Sequence, residues 1–265
     1  MAVTNDDVGR DRQFATTLSH GLDILLAFRV GDAMLGNRDF VQRTGLSKSA
    51  VSRLTHTLTL LGFLRHDRAQ AKYRLGAPAL AMSYPLLAGL PVRQVARPMM
   101  KALADQIGGA VSLGLRDRIQ MIYIETARST DNLLLTPDIG AGLPMLTTAM
   151  GRAWLCHAPA GERDAVLNRL RLADADAVSR ALPLLARARE SLASKGYCTN
   201  RAEWRHDGYG LAVPLCKPIH GMHFVLNCGV PVGQESFGIV ERRVAPGLLG
   251  LARSIESAMG LVAMA

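Results

Sequence analysis

The stretch TGLSKSAVSRLTHTLTLLGFL, Thr44 to Leu64, puts two different faces on one helix. Val51, Leu54, Leu58 and Leu61 recur at i, i+3, i+7 and i+10, which predicts a buried stripe. Ser49, Ser52, Arg53 and His56 recur at i, i+3, i+4 and i+7 and share a second face. That second face is polar, short-chained and basic. A helix that only meets water more often carries long Glu and Lys residues. Small hydroxyls around one Arg suit a surface that approaches its partner closely, such as the floor of a DNA groove.

The flanking sequence extends this reading. LSHGLDILLAF predicts a first amphipathic helix with Leu18, Leu22, Leu25 and Leu26 inward and Ser19 as its cap. Gly31 and Gly36 interrupt it. Asn37 is placed to cap a short second helix that turns Phe40 and Val41 inward and stops at Gly45. Leu46 plugs the turn and Ser47 caps the third helix. Two short helices around a glycine turn form a helix-turn-helix. Beyond it, Phe63-Leu64-Arg65 and Lys72-Tyr73-Arg74-Leu75 read as a hairpin connected by Asp67 to Ala71, which makes the module winged.

Charge concentrates in the same place. From Arg38 to Arg74 there are eight basic residues, Arg38, Arg43, Lys48, Arg53, Arg65, Arg68, Lys72 and Arg74, against Asp39 and Asp67. The whole chain carries a formal +9. A charge run by itself is usually a solvated surface. Coincidence with the polar helix face favours double-stranded DNA, with the wing and the first residues of the helix on phosphates and Ser47, Lys48, Ser49, Ser52, Arg53 and His56 as candidates for base edges. Arg43, Ser47, Lys48, Ser49, Ser52, Arg53, His56, Arg65, Arg68, Lys72 and Arg74 are the candidate contacts.

HGLDILLAF, RTGLSKSAVSRLTHTLTLLGFL and KYRLG together resemble the IclR family of bacterial transcription regulators. GAGLPMLTTAMGRAWL, Gly140 to Leu155, is similar to that family's Gly-Leu-Pro, small-residue, Gly-Lys-Ala segment. KGYCTNRAEW, Lys195 to Trp204, is similar to its Gly-Tyr, acidic, Glu segment. The likeness runs from about Phe14 to about Met259. It implies an α+β chain in three parts: a winged helix-turn-helix over 14–76, a linker helix over 77–90, and a GAF-like effector-binding domain over 91–260. It also implies dimerisation through the N-terminal module, so a homodimer or homotetramer is expected.

The residues agree with that division. GAPALAMSYPLLAGL keeps helical spacing at Leu80, Tyr84 and Leu87, with Pro85 as a point of kinking. VRQVARPMMKALADQIG continues a helix from Pro91 through Val92, Val95, Met99, Leu103 and Ile107. Strands are expected at AVSLGLRD and IQMIYIETA, turning at Asp117-Arg118, and at NLLLTPD, YGLAVPLCKP and MHFVLNCGVPV. Helices are expected at 151–158, at LARARESLASKG up to Gly196, and at RVAPGLLGLARSIESAMGLV. Strands packed with helices make an α+β domain.

In the resemblance, the effector meets free N–H groups at the helix start after Gly-Leu-Pro, here Ala149 and Met150. Polar side chains come from the Gly-Tyr segment and the last two strands, and the nearest matches are Asn200, Gly210 or Leu211, Leu226 and Cys228. Hydroxyls of members that bind small polar carboxylates are replaced by Leu and Cys, and the acid by Asn. The change implies a larger or more apolar effector, an aromatic or acyl carboxylate. Such residues also serve as ordinary core.

Other chemistry finds less support. Cys156 and His157 are adjacent, and neighbours on a helix diverge too far for a nucleophile–base pair. No G-x-S-x-G, P-loop or dinucleotide motif is present. Cys216, His220, His223 and Cys228 invite a zinc reading, but His223 and Cys228 fall on opposite faces of one strand. No catalytic residue, metal or cofactor is therefore expected, and a metal sensor or DNA-tethered enzyme stands as the alternative. Four cysteines without a CxxC pair, a polar MAVTNDDVGR start and no long apolar run lead to the expectation of a cytoplasmic protein that does not enter membranes.

Overall fold

Ser47 and Gly45 fix the start of the third helix. Gly45 takes a left-handed conformation at φ 72° and ends the preceding helix, and the Ser47 hydroxyl accepts the Ala50 N–H at 3.2 Å. A computed structural model describes residues 13–129, 137–233 and 235–262. It divides into two units, residues 1–89 and 90–265.

In the first unit, α1 (Thr16–Leu26), α2 (Asn37–Thr44) and α3 (Lys48–Leu60) pack around Ile24, Phe40, Val51, Leu58 and Leu64. Strands β1 (Leu64–Asp67) and β2 (Lys72–Leu75) form the antiparallel hairpin. Helix α4 (Ala77–Ala88) follows and runs as one helix through Pro85.

Four expectations are corrected in this unit. Helix α1 starts at Thr16, so Ser19 lies inside it rather than capping it. Its inward side is Ile24 with Leu25, whereas Leu18, Leu22 and Leu26 are 64%, 44% and 76% exposed. The helix is apolar on two faces, and sequence spacing does not say which face meets the core. In α3, Leu61 is 62% exposed and Thr55 is buried instead, its hydroxyl donating to the Val51 carbonyl at 2.9 Å. A threonine satisfied by its own helix fits a core as a small side chain. For α2 the cap is Gly36 with Asp39, which accepts the Gly36 N–H at 2.8 Å, and Asn37 is the first helical residue.

The second unit is built on a six-stranded antiparallel sheet in the order β5-β4-β3-β8-β7-β6. Its strands are β3 (Ala110–Asp117), β4 (Gln120–Arg128), β5 (Gly142–Pro144), β6 (Cys198–Arg201), β7 (Gly208–Pro214) and β8 (Phe224–Pro231). Helices α5 (Pro91–Ile107) and α9 (Phe237–Ala258) pack on the sheet and on each other. Helix α6 (Ala149–His157) packs against β6, β7 and β8, with α7 (Ala160–Ala173) and α8 (Ala175–Lys195) stacked beside it. The result is the expected α+β arrangement. Of the expected NLLLTPD strand, 132–136 lies outside the described residues.

The hairpin closes on a glycine contact. Gly76 donates its N–H to the Phe63 carbonyl at 2.8 Å, and a Cβ at Gly76 would lie 1.8 Å from the Gly62 carbonyl oxygen. Backbone cannot yield as a flexible side chain does. Gly76→Ala is therefore expected to destabilise the first unit by about 1–3 kcal/mol or more. Gly161→Ala, where a Cβ meets open space inside α7, should leave stability unchanged or raise it by up to about 1 kcal/mol. Thermal melts followed by circular dichroism check this; equal melting of both variants would contradict the clash.

Candidate functional site

The first candidate surface is the outer side of α3. Ser47, Lys48, Ser49, Ser52, Arg53 and His56 are all exposed, as the spacing predicts. Ser47 and Ser49 hydroxyls share a hydrogen bond at 3.0 Å, which holds the helix entrance. The Thr57 hydroxyl is turned back onto the Arg53 carbonyl at 3.0 Å. Close approach to this side is therefore limited by short side chains, with Arg53 and His56 as the long ones.

On the wing, Arg65, Arg68, Lys72 and Arg74 are exposed. Asp67 accepts the Ala69 and Gln70 N–H groups at 3.0 and 3.1 Å and pairs with Arg74 at 3.2 Å. These donors hold its carboxyl below the usual carboxylate range. Arg74 thus has a structural partner inside the hairpin. Arg43 departs from the expected surface set more clearly. Its guanidinium pairs with Asp32 and donates to the Ala27 carbonyl at 2.9 Å, locking α2 to the end of α1. The pairing lowers the Asp32 pKa and raises that of Arg43.

The second candidate site is a cavity of about 570 Å³ in the second unit, within the range of small-molecule pockets. Ala149 and Thr148 border it at the start of α6. The Thr148 hydroxyl accepts the Gly151 N–H at 3.0 Å and donates to the Pro144 carbonyl at 2.7 Å. The N–H groups of Ala149 and Met150, among the described residues, have no hydrogen-bond partner, as expected for a first helical turn. They give this end of α6 its partial positive charge.

Cross-strand pairing explains which side chains reach the cavity. Ala110, Gly229, Gly210 and Asn200 form one row across the sheet, and Ser112, Asn227 and Ala212 the next. Val111, Cys228 and Leu211 form a row of opposite parity, as do Leu113, Leu226 and Val213. So Gly210, Asn200 and Ala149 line the cavity. Leu211, Leu226 and Cys228 do not. They are fully buried on the opposite side of the sheet, and the positions facing the cavity are Asn227 and Gly229. The expected register on β8 is off by one, and one residue in a strand exchanges faces.

Met150 also moves. Its side chain is fully buried against Gly114, where a Cβ would meet the Met150 sulfur at 2.7 Å, so only its backbone faces the helix start. Asn200 is committed internally: its amide donates to the Thr147 carbonyl, and its oxygen accepts the Ala202 N–H at 3.1 Å. A carboxylate could not donate to that carbonyl, which accounts for Asn in place of an acid.

Sequence reasoning missed Ser112, Tyr123, Thr148 and Asn227. The Asn227 amide donates to the Tyr123 hydroxyl at 3.1 Å, and Ser112, paired with Asn227 across the sheet, meets Thr126 at 3.1 Å. Burial pushes the Tyr123 phenol well above its usual range, so it stays neutral. Only the pairing of β3 with β8 could have found this polar floor, because the residues are over a hundred positions apart in the chain. Leu143, Trp204, Tyr209 and Val230 supply apolar wall.

The Cys156 thiol points to the Leu185 carbonyl at 3.9 Å. His157 stacks edge-on against His223 at 6.1 Å, and burial followed by the His223 charge lowers its pKa. Among the described residues no group of three or more His, Cys, Asp or Glu is placed to hold a metal ion, and no helix is long and apolar enough to cross a membrane.

Comparison with known proteins finds a family match for each unit. Residues 17–68 match the family described as IclR helix-turn-helix domain, and 85–254 match Bacterial transcriptional regulator IclR C-terminal. The HTH-type transcriptional regulator TsaQ1/TsaQ2 of Comamonas testosteroni is 31% identical over 92% of this chain and 88% of its own. The Pca regulon regulatory protein of Pseudomonas putida is 26% identical over 92% and 84%. An IclR family transcriptional regulator from Brucella abortus superposes with a TM-score of 0.81 at 36% identity, covering 97% of this chain and 96% of that one. An IclR homologue from Microbacterium hydrocarbonoxydans, complexed with 4-hydroxybenzoate, shares the fold at a TM-score of 0.65 and 21% identity, over 91% and 99% of the two chains. This chain belongs to the IclR family of transcription regulators, with a helix-turn-helix DNA-binding domain followed by an effector-binding domain.

Proposed function

We propose that this regulator binds a pseudo-palindromic DNA site as a cytoplasmic homodimer or homotetramer, and that an aromatic carboxylate in the cavity sets its DNA affinity. The observation that carries the effector reading is the start of α6, where Thr148 and Ala149 border an otherwise largely apolar cavity and the N–H groups of Ala149 and Met150 have no protein partner among the described residues. A carboxylate suits those donors without any Arg. The ring lies against Trp204, Tyr209 and Val230, and a ring hydroxyl reaches the Asn227–Tyr123 pair. The 4-hydroxybenzoate held by the Microbacterium hydrocarbonoxydans homologue is a ligand of this kind. The relatives are regulators, and the reading includes no turnover of the ligand.

For DNA, Arg53 with Ser49, Ser52 and His56 reads base edges, while Lys48 and the wing residues Arg65, Arg68 and Lys72 contact phosphates. Arg43 and Arg74 serve the fold first. Dimerisation uses the leucines that the first unit leaves exposed. Leu18, Leu22 and Leu26 form one stripe on α1, and Leu80 and Tyr84 stand exposed on α4. Burying one leucine is worth about 1.5–3 kcal/mol, so a stripe of three can drive association.

Three measurements test this. Affinity for the operator should fall steeply as salt rises. Arg53→Ala should cost about 1–3 kcal/mol and relax the selected motif, whereas Lys72→Ala should weaken all sequences alike. A binding-site selection that returns the parent motif with Arg53→Ala removes Arg53 from base reading.

In a thermal-shift series, 4-hydroxybenzoate and related aromatic acids should stabilise the parent chain by mass action, and their neutral amides should not. Gly210→Leu should abolish the shift, because a Cβ at 210 already lies 3.3 Å from Asn200 and 3.6 Å from Ala149. The active acid should change DNA affinity, and DNA should change its affinity by the same factor. Equal stabilisation of both proteins would move the ligand elsewhere, and consumption of the acid would make the chain an enzyme.

Leu22→Glu together with Leu26→Glu should shift the mass measured by light scattering toward the monomer, without loss of helical signal. An unchanged mass would place the dimer contact elsewhere.

A further inference from the structure

Cys156, near the end of α6, and Cys198, at the start of β6, meet beneath α8. Cys198 is fully buried and Cys156 partly exposed, and both belong to the core between these elements. The Cys156 thiol donates to the Leu185 carbonyl at 3.9 Å and the Cys198 thiol to the Ala188 carbonyl at 3.5 Å. Carbonyls three residues apart on one helix lie on one side of it, so the two sulfurs converge. Both thiols thus lie against the same turn of α8 and within one core cluster.

We propose that Cys156 and Cys198 form a peroxide-reactive dithiol site in which Cys156 attacks and Cys198 closes a reversible disulfide. The roles follow from asymmetry of access and charge. The thiolate is the nucleophile, and electropositive, partly exposed surroundings favour it. The neighbouring Cys198 thiol lowers the Cys156 pKa, helped by the charges of Arg189, Arg152 and Arg163. Cys198 is pushed the other way by its pairing with Cys156 and by burial, so it stays protonated until the second step.

The chemistry balances with a hydroperoxide as oxidant. The Cys156 thiolate attacks the terminal peroxide oxygen; an S–O bond forms, the O–O bond breaks, and the departing alkoxide takes a proton from water. Cys156 is then a sulfenic acid. The Cys198 sulfur attacks it; the S–S bond forms, the S–O bond breaks, and the Cys198 proton leaves with the hydroxyl as water. Two electrons pass from the dithiol to the peroxide. A small thiol reductant restores the pair by exchange. The bridge would join α6, whose first turn borders the cavity, to β6, which carries Asn200.

The test uses the full-length chain with Cys216→Ser, which removes the exposed thiol. After tert-butyl hydroperoxide, the intact mass should fall by two hydrogens. An unreduced digest should contain the Cys156 peptide joined to the Cys198 peptide, and dithiothreitol should reverse both changes. With Cys198→Ala added, Cys156 should be trapped by dimedone as the sulfenic acid adduct. With Cys156→Ala, neither the joined peptide nor an adduct at Cys198 should form. Should Cys198→Ala fail to fold, the digest of the Cys216→Ser protein decides alone. Joined peptides between different chains, linkage to Cys228, or oxygen added only at methionine would overturn the proposal.

Discussion

The carbonyl oxygens of Thr147 and Thr148 are the anchor on which the second unit depends. Arg152 donates to both, at 3.1 and 3.3 Å, and the Asn200 amide donates to the first. Arg152 is 3% exposed and pairs with Glu203 at 3.3 Å. A buried guanidinium is costly unless its donors are satisfied, and here carbonyls and a carboxylate satisfy it together. Glu203 also accepts the Arg201 N–H, so the strand that supplies Asn200 is bound to the same cluster. The first turn of α6 is thereby fixed before any ligand arrives. Gly151 completes the device: a Cβ there would lie 2.3 Å from the Met145 carbonyl oxygen, so only glycine lets the helix sit this close to its own entry loop.

The first unit obeys a different constraint. Its core is small, and it leaves several leucines in water. Two polar devices hold the geometry that hydrophobic area alone does not. One is the Ser47 cap, which sets where α3 begins. The other is Arg43, whose pairing with Asp32 and Ala27 joins α2 to the end of α1. A basic residue in a basic stretch can thus be spent on architecture, and net charge overstates the surface offered to an anion.

The first unit was legible where one side chain decides a local structure. Ser47, Gly45 and the polar row from Ser49 to His56 stand as their spacing implies, because caps and helix faces depend on nearby residues. Leu18, Leu22 and Leu26 were misread because α1 is apolar on both sides and the choice belongs to packing. In the second unit, the resemblance named Ala149 and Gly210, which border the cavity, and Leu226 and Cys228, which lie on the other side of the sheet from Asn227 and Gly229. Strand parity is set by the partner strand, and no short stretch of sequence contains its partner. Strand β6 and helix α7 escaped for a related reason. One has four residues, and the other shows only Val166 and Leu170 to the core.

The alternating sides of β8 separate two kinds of evolutionary freedom. Leu226 and Cys228 answer to the packing on one side of the sheet, and Asn227 and Gly229 to whatever occupies the cavity on the other. On the proposed effector reading, substitution at odd-numbered positions along 226–229 retunes ligand preference while the even-numbered positions keep the fold. On that reading the sensed metabolite changes through substitutions on one side of a strand, while the packing on its other side keeps the scaffold.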